Sequence, residues 1–233
     1  MTDLMARIAE NVAEIRGRIA EAAVRSGRPP ADVLLLAVTK YVGPEEIRAL
    51  VAAGCVDLGE SRPQQLWVRA ESLADLPIRW HFIGHLQRNK VERTLPRVSR
   101  IHSVDSLRLA EAIDVAAASL GRPVPVLLEV NVSGDAAKHG FSPDEVEPLL
   151  GRLAALRGLD VCGLMCMAGL DGGPDDARRD FATLRNLRDH LRRNCPAEVR
   201  LADLSMGMSG DYEAAIEEGS TIVRVGSALF EVM

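Results

Sequence analysis

The sequence predicts an α/β fold, namely a (β/α)8 TIM barrel with an additional N-terminal helix. Eight short apolar runs, typical of buried strands, recur over residues 33–225 at a spacing of roughly 24 residues. Helical patterns separate these runs, and this alternation indicates a parallel sheet, which eight units close into a barrel. A doubly wound open sheet is the alternative. Because no composition shift or long linker divides the 233 residues, we expect residues 1–233 to form a single domain.

The individual elements follow this rhythm from the start of the chain. Apolar residues recur at helical spacing from Leu4 to Ile19, which predicts a leading helix that ends near Gly27. Proline in the first turn marks the start of later helices, as at Pro44 and Pro143. The predicted strands are residues 33–38, 56–59, 79–83, 100–103, 126–130, 161–165, 201–205 and 221–225.

Composition excludes several classes of protein. A net charge of −5 and an aromatic content of 3% argue against a nucleic-acid-binding surface. The four cysteines form no CxxC pair and have no histidine at zinc spacing, so we expect reduced thiols and no metal site. The N-terminus lacks the apolar core of a signal peptide, and no stretch approaches the roughly 20 apolar residues of a membrane span. We therefore expect a cytoplasmic protein that binds neither nucleic acid nor membranes.

Lysine is rare in this chain, which has 25 arginines but only Lys40, Lys90 and Lys138. Lys40 lies two residues after the first apolar strand, at the end where barrel proteins carry their chemistry. A partly desolvated lysine amine is a nucleophile toward carbonyl groups and forms a Schiff base, which arginine cannot do. The alternative is a lysine that extends past the strand end so that its ammonium reaches solvent.

Two turns of small residues follow the last two predicted strands. Ser209 and Gly210 follow the seventh strand, with Ser209 expected as the N-cap of the next helix. Gly226 and Ser227 follow the eighth. The loops after strands 7 and 8 form a recurring phosphate site in barrels, with ordinary helix capping as the alternative. Arg224, inside the eighth strand, points either into the barrel mouth as a donor to a ligand or toward the helices in a structural ion pair.

Eight motifs carry a family resemblance. They are AVTKYV at 37–42, GESRPQQ at 59–65, WHFIGHLQRNK at 80–90, EVNVS at 129–133, KHGF at 138–141, GLM at 163–165, LSMGMSGDYEAAI at 204–216 and VRVGSALF at 223–230. Together they resemble the pyridoxal phosphate homeostasis protein family, in the same order and over nearly the whole chain. The resemblance implies a barrel like the N-terminal domain of alanine racemase and a pyridoxal 5′-phosphate (PLP) cofactor.

The resemblance also assigns residues to the cofactor by position. It places Lys40 in a Schiff base with PLP and Arg224 against the pyridine nitrogen. Ser61 belongs to the candidate cofactor-binding set, at a position where the family usually has Asn. His81 stacks near the cofactor or is a structural histidine, and Met206 packs on the cofactor ring or fills the core. Four turn residues are placed around the phosphate: Ser209, Gly210, Gly226 and Ser227.

The expected function is that of a non-catalytic PLP-binding protein in intracellular PLP and amino-acid homeostasis. Arg224 at the pyridine nitrogen disfavours protonation of that nitrogen and weakens the cofactor as an electron sink. Alanine racemase adds a tyrosine base from a second domain, whereas this sequence has only Tyr41 and Tyr212. The alternatives are a minimal PLP-dependent amino-acid racemase, an imine-forming aldolase and a phosphate-binding regulatory module. Expected partners are PLP and apo PLP-dependent enzymes, and the expected state is a monomer.

Overall fold

The fold is a closed barrel of eight parallel strands, seen in a computed structural model that describes residues 2–135, 137–169 and 173–231. The strands are β1 (Leu34–Val38), β2 (Asp57–Glu60), β3 (Arg79–Phe82), β4 (Arg100–Val104), β5 (Val124–Glu129), β6 (Leu159–Met165), β7 (Val199–Ser205) and β8 (Ile222–Val225). The helices are α1 (Thr2–Arg25), α2 (Pro44–Ala52), α3 (Pro63–Ser72), α4 (Val91–Thr94), α5 (Leu107–Ala117), α6 (Pro143–Ala155), α7 (Pro174–Leu191) and α8 (Tyr212–Glu217).

The last strand pairs with the first and so closes the sheet. Leu34 lies opposite Ile222, and Ala37 lies opposite Val225, in the parallel register of β1 and β8. The predicted barrel is therefore confirmed, and the doubly wound open sheet is excluded. All eight predicted strands are present, with ends that differ from the predicted ones by at most two residues.

Two apolar clusters hold the layers of the barrel together. The smaller cluster draws on strands from opposite sides of the sheet, which meet only inside the barrel; it contains Leu36, Leu127, Cys162, Met165 and Ile222. The larger cluster fills the layer between the strands and the surrounding helices. Burial of one such side chain contributes about 1.5–3 kcal/mol, so both layers stabilise the closed sheet.

Helix α1 precedes the barrel and packs on its outside against α2 and α8. The predicted end of this helix is confirmed, since Gly27 follows it in the left-handed conformation at φ +73°. The buried Asn11 donates its Nδ2 hydrogens to the carbonyl oxygens of Leu229 (3.2 Å) and Glu231 (2.9 Å). The first helix therefore anchors the segment that follows β8. None of the helices in the described part of the chain is long and apolar enough to cross a membrane.

Candidate functional site

The barrel mouth, formed by the loops that follow the strands, places Lys40 in the turn after β1. The side chain is partly buried, and its Nζ lies 5.0 Å from the ring centroid of the exposed Tyr41. Within the described ranges, the Lys40 Nζ has no hydrogen-bond acceptor and no carboxylate partner. An amine in this position is available to a ligand that enters the mouth.

Arg69 of α3 holds the turn that carries Lys40. Its guanidinium donates to the carbonyl oxygens of Thr39 (2.8 Å) and Val42 (2.5 Å), on either side of the lysine. The fully buried carboxylate of Glu60 accepts a hydrogen bond from Arg69 and another from the backbone N–H of Ser61 (2.7 Å). This pair is not predictable from the sequence, where the only local signal is an acid at the end of a strand and an arginine nine residues later.

We expect Arg69→Ala to lower the free energy of unfolding by about 3 kcal/mol, because it leaves the Glu60 carboxylate buried without its cationic partner. Urea denaturation measures this change. Arg48→Ala is the matched control, since Arg48 pairs with Asp75 in solvent and such a pair contributes at most about 1 kcal/mol. Equal losses in the two variants would contradict the assigned role of Arg69.

Arg224 points into the barrel, which decides between the two orientations that the sequence left open. Its Nη1 donates to the backbone oxygen (2.7 Å) and to the Oγ (2.8 Å) of Ser205, and its Nη2 donates to the carbonyl oxygen of Cys166 (2.8 Å). Burial lowers the pKa of Arg224 from its ordinary value, but a guanidinium remains charged at neutral pH. In the described part of the chain, the Nε–H and one Nη2–H of Arg224 have no acceptor, so two donors are left for a ligand.

The turns after β7 and β8 lie together, as the sequence predicts. The Oγ of Ser209 accepts a hydrogen bond from the backbone N–H of Gly226 at 3.1 Å. A Cβ added to Gly210 would meet no atom within 4 Å, so the backbone of this turn is uncovered. Ser227 is exposed at the start of a 3-10 turn over Ser227–Leu229. All four turn residues therefore lie at the same end of the barrel.

The expected N-cap role of Ser209 is wrong, because α8 begins at Tyr212 with Asp211 as its N-cap. The carbonyl oxygen of Met208 accepts from the backbone N–H groups of Asp211 (3.1 Å) and Tyr212 (2.9 Å). The Asp211 carboxylate in turn accepts from the Met208 N–H at 2.5 Å. These bonds form a separate turn over residues 209–211 and leave the Ser209 hydroxyl directed at the neighbouring loop.

The three remaining predicted site residues, Ser61, His81 and Met206, lie in three different parts of the barrel. Ser61 follows β2 at the mouth, where its backbone packs so closely on Gly84 that a Cβ there would overlap the Ser61 carbonyl. His81 is buried inside the barrel, and both of its ring nitrogens are hydrogen-bonded, to His102 and to Asp57. Met206 has no exposed surface and belongs to the large cluster between strands and helices.

Glu129 is a further mouth residue, absent from the set predicted from the sequence. It ends β5, is 5% exposed, and its carboxylate has no hydrogen-bond donor among the residues described. Burial, together with the negative charge of Asp105, raises its pKa from 4.5 to about 7, against the opposing charge of Arg224. The position of an acid at the end of a central barrel strand was the available signal.

Glu129→Gln is expected to stabilise the protein at pH 8 and to have little effect at pH 4.5. A raised carboxyl pKa contributes stability that is present below pH 4.5 and is lost as the pH rises through about 7. Because glutamine does not ionise, the variant avoids a loss of up to about 3 kcal/mol. Denaturation across this pH range measures the difference, with Glu111→Gln at an exposed ion pair as control. A difference that does not change with pH would contradict the raised pKa.

A cluster of two histidines and an acid also lies at the mouth. The Nδ1 of His85 lies 2.8 Å from a carboxylate oxygen of Asp105, and the ring of His139 stacks on that of His85 with a centroid distance of 4.2 Å. These residues follow β3, β4 and β5, respectively. Consecutive strand ends therefore bring together side chains that are far apart in the sequence.

Comparison with known proteins gives consistent matches over the whole barrel. The family model "Alanine racemase, N-terminal domain" matches residues 5–233. The pyridoxal phosphate homeostasis protein of Aquifex aeolicus is 42% identical over 95% of this chain and 96% of its own length. The protein of the same name from Bos taurus is 36% identical over 93% of this chain and 84% of its own.

Solved structures agree with these matches. The structure of PipY from Synechococcus elongatus PCC7942 with PLP bound superimposes with a TM-score of 0.84 at 36% identity, covering 96% of this chain and 100% of that chain. Alanine racemase from Corynebacterium glutamicum, at 15% identity and a TM-score of 0.72, covers 98% of this chain and 62% of that chain and shares the fold. The chain therefore belongs to the pyridoxal phosphate homeostasis protein family, on a barrel that it shares with the N-terminal domain of alanine racemase.

Proposed function

We propose that this protein is a non-catalytic, single-domain PLP-binding protein that serves intracellular PLP and amino-acid homeostasis. It holds PLP as a Schiff base on Lys40, acts as a monomer and gives PLP up to apo PLP-dependent enzymes. The family name of its relatives and the PLP bound by PipY support this proposal. The observation that carries it is the placement of the Lys40 amine and the Arg224 Nε–H at one barrel mouth, where neither has an acceptor among the described residues.

The residues at the mouth fit the functional groups of PLP. When bound, PLP supplies an aldehyde that condenses with a primary amine, an aromatic nitrogen and a phosphate dianion. Lys40 would hold the aldehyde carbon, and the Nε–H of Arg224 would donate to the ring nitrogen. The phosphate would lie against the paired turns of Ser209 and Gly226, where the uncovered backbone of Gly210 admits close approach.

The non-catalytic assignment draws on the two tyrosines of the chain. Tyr41 is 78% exposed, with its ring beside the Lys40 amine. Tyr212 begins α8 and is buried, and its ring lies 5.6 Å from the guanidinium of Arg18 of α1, outside the barrel. A base that moves a proton on a bound amino acid has to lie within hydrogen-bond reach of it, and the location of Tyr212 does not suit that task.

A minimal PLP-dependent racemase is the second candidate, and Glu129 is the observation that favours it. A carboxyl with a pKa of about 7 holds or accepts a proton near neutral pH, as a general acid or base requires. Turnover assays on free amino acids decide between the two functions. Racemisation that disappears in Glu129→Gln while PLP binding is kept would establish the enzyme and overturn the carrier.

Binding of PLP is tested with the purified chain. Addition of PLP is expected to produce the visible absorption band of a lysine-bound cofactor, and borohydride is expected to fix the cofactor irreversibly. Peptide mapping by mass spectrometry should then find the modified residue at Lys40. Modification spread over Lys90 and Lys138, or no saturable binding, would contradict the proposed function.

A further inference from the structure

A continuous chain of buried polar side chains runs through the barrel to Arg224. The Oγ of Ser205 accepts from Arg224 and lies 2.9 Å from the Nδ1 of His102. The Nε2 of His102 lies 2.9 Å from the Nδ1 of His81, whose Nε2 lies 3.1 Å from the carboxylate of Asp57. The five residues come from β2, β3, β4, β7 and β8, and each is at most 6% exposed.

When both imidazole rings are neutral, the two ends of this hydrogen-bonded series set the direction of every hydrogen bond along it. The Asp57 carboxylate only accepts, so His81 donates through Nε2 and leaves its Nδ1 as an acceptor. The Nε2–H of His102 donates to that acceptor, which leaves the His102 Nδ1 to accept the hydroxyl hydrogen of Ser205. The Oγ of Ser205 then accepts from Arg224. In this state all donors point from Arg224 toward Asp57, and both histidines carry their hydrogen on Nε2.

The electrostatic surroundings favour this arrangement. Burial, with the positive charges of Arg224 and Arg100, holds the pKa of His102 well below its ordinary value, so its ring stays neutral. Burial alone would raise the pKa of Asp57, but its hydrogen bonds from His81 and from Arg79 hold it below the ordinary value. The Asp57 carboxylate, at the acceptor end of this hydrogen-bonded series, is therefore charged.

We propose that Asp57, His81, His102 and Ser205 are positioning residues that orient Arg224 for its ligand, an inference that rests on the proposed function. The carbonyl and hydroxyl oxygens of Ser205 accept from both N–H groups of the Arg224 Nη1. Because the His102 Nδ1 takes the hydroxyl hydrogen, that hydrogen points away from Arg224 and the lone pairs of the Ser205 Oγ face the guanidinium. The acceptor state of the His102 ring in turn depends on His81 and Asp57. His81 thus acts on the mouth through three intervening bonds rather than by contact.

The first test reads the tautomers directly in the protein without PLP. Nitrogen-15 NMR at pH 7 should show His81 and His102 both neutral with the hydrogen on Nε2. His81→Leu removes the acceptor of the His102 Nε2–H, so His102 should change to the tautomer with hydrogen on Nδ1. A charged His102, or a tautomer that does not change in His81→Leu, would overturn the inference whatever PLP does.

The second test measures the dissociation constant of PLP and its absorption maximum. His81→Leu is expected to weaken PLP binding about tenfold and to shift the maximum, because Arg224 loses its fixed orientation. His81→Asn offers the His102 Nε2–H an amide oxygen near the position of the lost Nδ1 and should restore most of the affinity. Asp203→Asn is the matched control, because Asp203 lies beside Ser205 on β7 but pairs with Arg100 outside the chain of five residues.

The outcomes separate the two proposals. Wild-type protein that does not bind PLP would contradict the proposed function. The NMR test of the His102 tautomer is made without PLP, so its outcome does not depend on that result. Wild-type protein that binds PLP, with equal affinity and spectrum in His81→Leu and Asp203→Asn, would overturn the positioning role alone. Loss in His81→Leu without recovery in His81→Asn would indicate core packing as the cause and would also overturn it.

Discussion

Lys40→Arg is expected to abolish the visible absorption band of bound PLP and all fixation of PLP by borohydride. Arginine keeps the positive charge and much of the length of lysine, but its guanidinium does not condense with an aldehyde. The proposed contacts to the phosphate and to the ring nitrogen do not involve Lys40, so residual non-covalent binding is expected and should be weaker by about 100-fold or more. Absorption titration and equilibrium dialysis with PLP measure the two effects separately.

Lys90→Arg is the matched control for this prediction. The Nζ of Lys90 lies 5.8 Å from the ring centroid of Trp67, outside the mouth, and arginine preserves such a contact with an aromatic face. The control should bind PLP with the same affinity and the same spectrum as the wild type. An unchanged band in Lys40→Arg, or a lost band in Lys90→Arg, would show that Lys40 is not the attachment residue.

Gly163→Ala is expected to cause the largest loss of stability among single methyl additions to the strands. Gly163 lies opposite Asp203 in the pairing of β6 and β7, and a Cβ at this position would overlap the Asp203 carbonyl oxygen. Because the obstacle is backbone of a neighbouring strand, relief requires the two strands to move apart. We expect the free energy of unfolding to fall by about 3 kcal/mol.

Gly17→Ala tests the same chemical change where there is space for it. Gly17 is exposed within α1, and an added Cβ would meet no atom within 4 Å. Alanine is the better helix former, so this variant should gain about 0.5–1 kcal/mol. Urea denaturation of both variants gives the comparison. If Gly163→Ala proved as stable as wild type, the close pairing of β6 and β7 at this point would be wrong.

The barrel could be predicted because its information is local in the sequence. Parallel strands buried on both faces, such as Leu34–Val38, appear as continuous apolar runs, and proline marks helix starts such as Pro44. The position of Lys40 at a strand end followed from the same pattern. The N-cap at Ser209 was wrong because the choice between Ser209 and Asp211 depends on a contact with Gly226, on another loop.

The parts of the site that escaped prediction depend on contacts between distant residues. His102 meets Ser205, 103 positions later, because β4 and β7 face each other across the barrel. Glu129 is unusual only because the closed sheet buries it beside Asp105. Neither relation has a signature in spacing or composition, since both arise when the sheet closes.

The pairing of β1 with β8 has a consequence for how a ligand stabilises the protein. These strands form the seam of the ring, where segments from opposite ends of the chain have to meet before the barrel is complete. Lys40 extends from one side of this seam and Gly226 from the other. A ligand bound by both residues therefore bridges the β1–β8 pairing. Its binding free energy stabilises the closed barrel as a whole rather than one βα unit.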